Sequence, residues 1–226
     1  MLEPADLTQR RLEQARRLLA IAQTGLHYTT GAFDKERYEE LEAIAQAQLA
    51  DLANLRTEQV AALFAHEVGY ANPKLDVRCA VFDAAGRVLL VREAADGRWS
   101  LPGGWADIGA TPAENAMREV REESGYTVTI ERLLAIWDMP RHAHPPSVFN
   151  IWKLVFLGKL AAGGDGSGEN IEGNIEDRRA DIFGVETDAE GFFAVDALPP
   201  LSLGRILPEQ IRRLRELRDN GGMEFD

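Results

Sequence analysis

The chain has 226 residues, 45% hydrophobic and 27% charged, which is enough apolar material for a packed core and too much for a disordered tail. Its 25 Lys and Arg stand against 37 Asp and Glu, a net charge of -12, which argues against affinity built on neutralising a nucleic-acid backbone. Cys79 is the only cysteine, which excludes an internal disulfide and a cysteine-based zinc site within one chain and fits a reducing compartment. The stretch from Met1 to Asp6 is acidic and lacks a charged-then-apolar leader. No apolar run approaches the roughly 18 residues of a membrane helix. The expectation is a cytoplasmic protein with neither a membrane nor a nucleic-acid partner.

In chain order, Leu12, Ala15, Leu19 and Ala22 recur on one helix face, which Gly25 is expected to end. Asp34 is placed to cap a second helix carrying Tyr38, Leu41, Ile44, Leu52 and Leu55. A third starts at Thr57, puts Val60, Leu63 and Phe64 on one side and stops at Gly69, ahead of Pro73. These helices define an expected N-terminal domain, residues 1–72. Its core is thin, so it is expected to pack on the rest of the chain or on a second copy, which makes a homodimer the expected assembly.

From residue 73 to 226 the apolar period changes to that of a second domain. Val77, Cys79 and Val81 alternate with Arg78 and Ala80, a turn follows at 84–86, and Val88 to Val91 reads as a buried strand. Further strands are expected from Thr127 to Leu134 and from Ile151 to Leu157, then an acidic, Gly-rich inserted loop from Ala161 to Gly184. Pro208 opens a last helix with Ile211, Leu214 and Leu217, closed by Gly221. The order of elements gives an α/β fold, a mixed sheet covered by helices on both sides.

The stretch that carries chemistry is LPGGWADIGATPAENAMREVREESGY, Leu101 to Tyr126. Thr111, Pro112 and Glu114 read as N-cap, first helical residue and capping-box glutamate, and Gly125 as the stop. On that helix Glu119, Glu122 and Glu123 stand at i, i+3 and i+4. Three carboxylates on one face repel one another unless a cation sits among them, and a hard divalent ion takes oxygen ligands and phosphates together. Gly103 and Gly104 permit a backbone carbonyl to approach that ion. The metal-ligand candidates are therefore Gly104, Glu119, Glu122 and Glu123.

Gly104 to Tyr126 resembles the signature of the Nudix hydrolases, whose second half is matched throughout by Arg118-Glu119-Val120-Arg121-Glu122-Glu123-Ser124-Gly125-Tyr126. The resemblance implies an α/β/α sandwich over roughly residues 74–220 and hydrolysis of a nucleoside diphosphate linked to another group, with magnesium as cofactor and manganese as a substitute. The preceding helices, with Leu198-Pro199-Pro200-Leu201-Ser202, resemble a subgroup that carries an N-terminal helical domain, which implies ADP-ribose or CDP-alcohols such as CDP-choline as substrate. One position departs: the first motif glutamate falls at Ala110. In the family that carboxylate pairs with the arginine matching Arg118, and Glu114, four residues before Arg118, is the expected replacement. The rival to an enzyme is a catalytically weakened nucleotide-binding module.

For the water's proton the candidates are Glu119 and Glu122 on the helix and Glu186 from a later loop. Trp99, Trp105, Trp137 and Phe149 bracket the site in sequence, and stacking on them tolerates any base. Arg118, Trp137 and Arg141 are the candidates for substrate contacts, Trp137 toward the base and Arg141 toward a phosphate. His142 and His144, two apart, share a face if the segment is extended.

Overall fold

A computed structural model of the chain describes residues 4–161 and 186–226, so beyond Ala161 the expected acidic loop lies outside the described residues. The chain divides into two compact units, Met1–Lys74 with Pro145–Ile151, and Leu75–His144 with Trp152–Asp226. Among the described residues no helix is long and apolar enough to cross a membrane.

The first unit is built on α1 (Pro4–Tyr28), α2 (Ala32–Ala53) and α3 (Thr57–Phe64). Leu12, Ala15 and Leu19 of α1 bury against Ala45 and Leu49 of α2 and Val60 of α3. Gly25 does not end α1, contrary to expectation. A Cβ at Gly25 would lie 2.4 Å from Tyr38 Cε1, so this glycine admits an aromatic ring from α2 and the helix runs three residues further. Asp34 lies inside the first turn of α2, where its charge suits the helix dipole, and the N-cap is Gly31. Asn54, at φ 54°, ends α2 in the left-handed conformation. The third helix stops at Phe64 and not at Gly69, because the hydrogen bonds tighten to three-residue turns, with Glu67 N–H donating to Phe64 O at 3.0 Å.

The second unit carries, apart from the first residues of β1 and β6, the strands and helices β1 (Lys74–Val81), β2 (Val88–Glu93), β3 (Trp99–Ser100), β4 (Gly103–Trp105), α4 (Pro112–Ser124), β5 (Val128–Asp138), β6 (Ile151–Leu160), β7 (Thr187–Phe193), α5 (Pro208–Asn220) and β8 (Glu224–Phe225). A five-stranded sheet has the order β4-β1-β6-β5-β8, and a three-stranded sheet the order β3-β2-β7. The larger sheet is mixed: β5 runs antiparallel to β6 and parallel to β8. Val120 of α4 packs with Val77, Val81 and Leu89 in one apolar layer. A second layer packs Leu90, Leu134 and Trp137 against Ile211 and Leu214 of α5. The expected mixed sheet with helices is thus present, preceded by a helical region. Alternation along β1 feeds both layers, so every residue from Asp76 to Val81 is buried. Register then fixes the site, because Val77 of β1 stands opposite Gly104 of β4 and brings that glycine beneath α4.

Candidate functional site

The helix that carries the carboxylates is closed at both ends by local sequence. Thr111 Oγ1 accepts from Glu114 N–H at 3.2 Å, Glu114 Oε2 accepts from Thr111 N–H at 2.7 Å, and Gly125, at φ 74°, returns its N–H to Arg121 O at 2.9 Å. With the helix so placed, Glu119 and Glu123 are buried, whereas the Glu122 side chain is half exposed.

The two glycines of β4 face these carboxylates. Gly103 N–H donates to Glu123 Oε2 at 2.8 Å, and at φ +144° a Cβ on Gly103 would lie 2.1 Å from Val77 O. Only glycine fits there. A Cβ on Gly104 would touch the Glu119 carboxylate at 3.4 Å, so glycine keeps a side-chain carbon off that carboxylate. Burial pushes Glu123 up to about 8, against the lowering influence of Arg78 and the Gly103 N–H. Burial also raises Glu119, opposed by Arg118 and reinforced by Glu122 and Glu186.

Arg118 is the hub of the cluster. Its Nη1 bonds Glu122 Oε2 at 2.9 Å, while Nη2 reaches Glu119 Oε1 at 2.9 Å, Asp107 Oδ2 at 2.8 Å and Asn115 Oδ1 at 3.0 Å. The expected pairing of Glu114 with Arg118 is not made. Glu114 is committed to the cap, and the outside carboxylate on Arg118 is Asp107, which the sequence reading passed over. Asp107 lies only three residues before Ala110, and its being the one acid between Trp105 and Thr111 is the signal the sequence offers.

Among the described residues no group of three or more His, Cys, Asp or Glu is gathered as a ready metal-binding set. The guanidinium of Arg118 separates Glu119 and Glu122, and Glu123 turns to Gly103. In donor chemistry the residues nonetheless suit a hard divalent cation. They are carboxylates beside a glycine backbone, and two of them are buried with too little positive charge to hold them at their ordinary acidity.

Sequence reasoning also missed a buried polar layer next to this cluster. Arg78 Nε donates to Asp76 Oδ1 at 2.8 Å and its Nη1 to Leu101 O at 3.0 Å, while Lys153, 1% exposed, pairs with Asp76 at 3.4 Å and donates to Arg205 O. Glu93 accepts from Ser100 Oγ at 2.6 Å and pairs with Arg205 Nε at 3.0 Å. Asp76 and Arg78, two apart on β1, share a strand face. That spacing was legible, but the cover over the face was not. The charge of Arg78 reaches Glu119 and Glu123.

The remaining candidates separate. Glu186 stands exposed just before β7, its backbone carbonyl accepts from Ala94 N–H at 2.8 Å, and its charge is felt by Glu119. The next residue, Thr187, donates to Glu123 O at 3.3 Å, which ties this strand start to the end of α4. Trp137 is a correction. It is 1% exposed, packed in the core against α5, with Nε1 donating to Glu224 Oε1 at 3.0 Å, and so presents no open face to a base. Arg141 lies exposed in a short 3-10 turn, Met139–Arg141, 3.6 Å from Asp138. His142 and His144 take different partners, Asp226 Oδ2 at 3.0 Å and Leu203 O at 2.7 Å.

Residues 9–64 match the family described as "UDP-X-like, N-terminal oligomerisation domain", and residues 72–211 match the NUDIX domain. The chain is 42% identical over 203 residues to "Putative ADP-ribose pyrophosphatase YjhB" of Bacillus subtilis (strain 168), covering 90% of this chain and 89% of that one. Among solved structures it is similar to a UDP-X diphosphatase, at 33% identity and a TM-score of 0.57, over 97% of this chain and 99% of that one. It is also similar to an ADP-ribose pyrophosphatase from Streptococcus suis 89-1591, at 36% identity and a TM-score of 0.53, over 69% of this chain and all of that one (100%).

Proposed function

The chain belongs to the Nudix hydrolases, enzymes that hydrolyse pyrophosphate bonds, and from that premise we propose that its substrate is a nucleoside diphosphate joined to a second group, cleaved to a nucleoside monophosphate and a phosphorylated product. The observation that carries this reading is the 42% identity, over nine tenths of the chain, to a protein named for ADP-ribose. The helical region's match to a UDP-X-like family supports a UDP conjugate as the second substrate to try, and CDP-choline, implied by the sequence resemblance alone, is the third. The same match, to a domain described as one of oligomerisation, supports a homodimer.

Nudix hydrolases generally use divalent metal ions, and here magnesium is proposed, with manganese as a substitute. Glu119, Glu122, Glu123 and the Gly104 carbonyl would hold it. Bound, such an ion neutralises phosphate oxygens and acidifies a water. The chain's own groups then have separable tasks. Arg118 fixes Glu119 and Glu122 in direction by donating to both. Gly103 and buried Arg78 offset the cost of an ionised Glu123. Glu186, exposed and with its charge felt by Glu119, is assigned the water's proton, with Glu119 and Glu122 as the alternatives. The binding-module reading rested on Ala110, and the Asp107 contact to Arg118 removes its main motive.

The test is release of AMP, UMP or CMP from ADP-ribose, UDP-glucose and CDP-choline, with magnesium, with manganese and with a chelator. Nucleoside monophosphate formed only with metal supports the proposal. A folded protein that releases none from any of the three overturns it.

A further inference from the structure

We propose that Asp107 is a positioning residue for the carboxylates of α4, holding Arg118 from outside the helix in place of the carboxylate absent at Ala110. This rests on the reading of those carboxylates as the cation-binding group. Of the four side chains bonded to the Arg118 guanidinium, Glu119, Glu122 and Asn115 belong to α4 itself, and Asp107 alone comes from the loop that leads in from β4. A guanidinium bound only by its own helix would be free to tilt with the two glutamates. The Asp107 contact at 2.8 Å ties it to the far side of the site.

The loop is built to deliver that carboxylate. Asn115, 1% exposed, accepts from Asp107 N–H at 3.1 Å and shares its amide hydrogens among the carbonyls of Asp107, Ala110 and Thr111 at 3.2 to 3.4 Å. The backbone of residue 107 is therefore fixed by one buried side chain, while its carboxylate is spent on Arg118. Because the Asp107 side chain is 69% exposed, this pair contributes little to folding, and its effect lies in the direction it imposes. With Asp107 present, one guanidinium is shared among three carboxylates. Without it, Glu119 and Glu122 are the two carboxylates left on Arg118, which then competes more strongly with a divalent ion for their oxygens.

Asp107→Asn is the variant to prepare, with Ala110→Glu and the double variant beside it. Free Mn2+ is measured by electron paramagnetic resonance, and restricted rotation of the Arg118 guanidinium by 15N nuclear magnetic resonance of the metal-free protein. Expected are unchanged tryptophan fluorescence, averaged Arg118 Nη signals in Asp107→Asn where the wild type shows separate ones, and Mn2+ binding weakened about 10-fold. Ala110→Glu should restore both in the Asp107→Asn background and change little in the wild type. Overturning results are Asp107→Asn indistinguishable from wild type in guanidinium rotation and Mn2+ binding, or Ala110→Glu acting equally in both backgrounds. A wild type that binds no Mn2+ would instead overturn the cation-site reading, and the guanidinium signal would still decide the role of Asp107.

Discussion

Glu123→Gln keeps the shape of the side chain and removes its charge. Burial holds this carboxyl at about 8 in the folded protein, against 4.5 ordinarily. Below pH 4.5 the group is protonated folded and unfolded alike. Between 4.5 and 8 the unfolded chain has released the proton and the folded chain retains it, so stability is full below 4.5 and is lost as pH rises through 8. The whole displacement sets a ceiling of about 5 kcal/mol at pH 8 and above. Relaxation and water at the rim of the site screen part of it, leaving about 2 kcal/mol. Gln retains an acceptor for Gly103 N–H, so the neutral variant should be more stable than wild type by that amount at pH 8 in chelator, and equal at pH 4.5. All four tryptophans, Trp99, Trp105, Trp137 and Trp152, lie in the second unit, so urea unfolding followed by tryptophan fluorescence reports the part of the chain that holds Glu123. A variant less stable than wild type at pH 8, or a difference independent of pH, would refute the reasoning.

The two glycines of β4 should differ sharply on substitution. Gly103→Ala, with its Cβ forced onto the Val77 carbonyl at positive φ, should cost more than about 3 kcal/mol, and a fluorescence melt like that of wild type would contradict this. Gly104→Ala makes only ordinary contact with Glu119 and should fold within about 1 kcal/mol of wild type while losing turnover; full activity would contradict the packing described. His144 is lowered to about 4, by burial first and then by Lys153, with its Nδ1 bonded to Leu203 O. Since the unfolded histidine takes up a proton near 6.5, the stability it contributes is present above that pH and is lost as pH falls toward 4. His144→Gln should therefore flatten the loss between pH 7 and 5 by about 1 kcal/mol in urea titrations, and an unchanged pH slope would exclude that role.

Features set by neighbours in the sequence were legible, and those set by distant residues were not. Thr111, Pro112, Glu114 and Gly125 determine α4 within fifteen residues, so its caps and the register of Glu119, Glu122 and Glu123 follow from local chemistry alone. The last helix, opened by Pro208 and closed by Gly221 at φ 72°, was equally readable. Gly25 shows the opposite case. Nothing near it announces that Tyr38, thirteen residues on, needs the space of a Cβ, so a glycine inside a helix reads as its end. The aromatic, polar and proline residues around Trp137 in sequence point toward substrate, and only the packing of α5 against β5 reveals it as core. The charged face of β1 was visible as alternation, but its burial with Lys153 and Glu93 depends on strands far along the chain. Asp107 was missed because the motif directs attention to position 110, whereas the carboxylate reaches Arg118 through a loop conformation that Asn115 imposes.

The most direct measurement is kcat for ADP-ribose hydrolysis by the wild type and by Glu119→Gln at saturating magnesium, with folding verified by tryptophan fluorescence. If the carboxylates of α4 carry the reaction, the wild type releases AMP and the variant falls by about 100-fold or more. A folded Glu119→Gln that turns over within twofold of wild type would contradict that assignment.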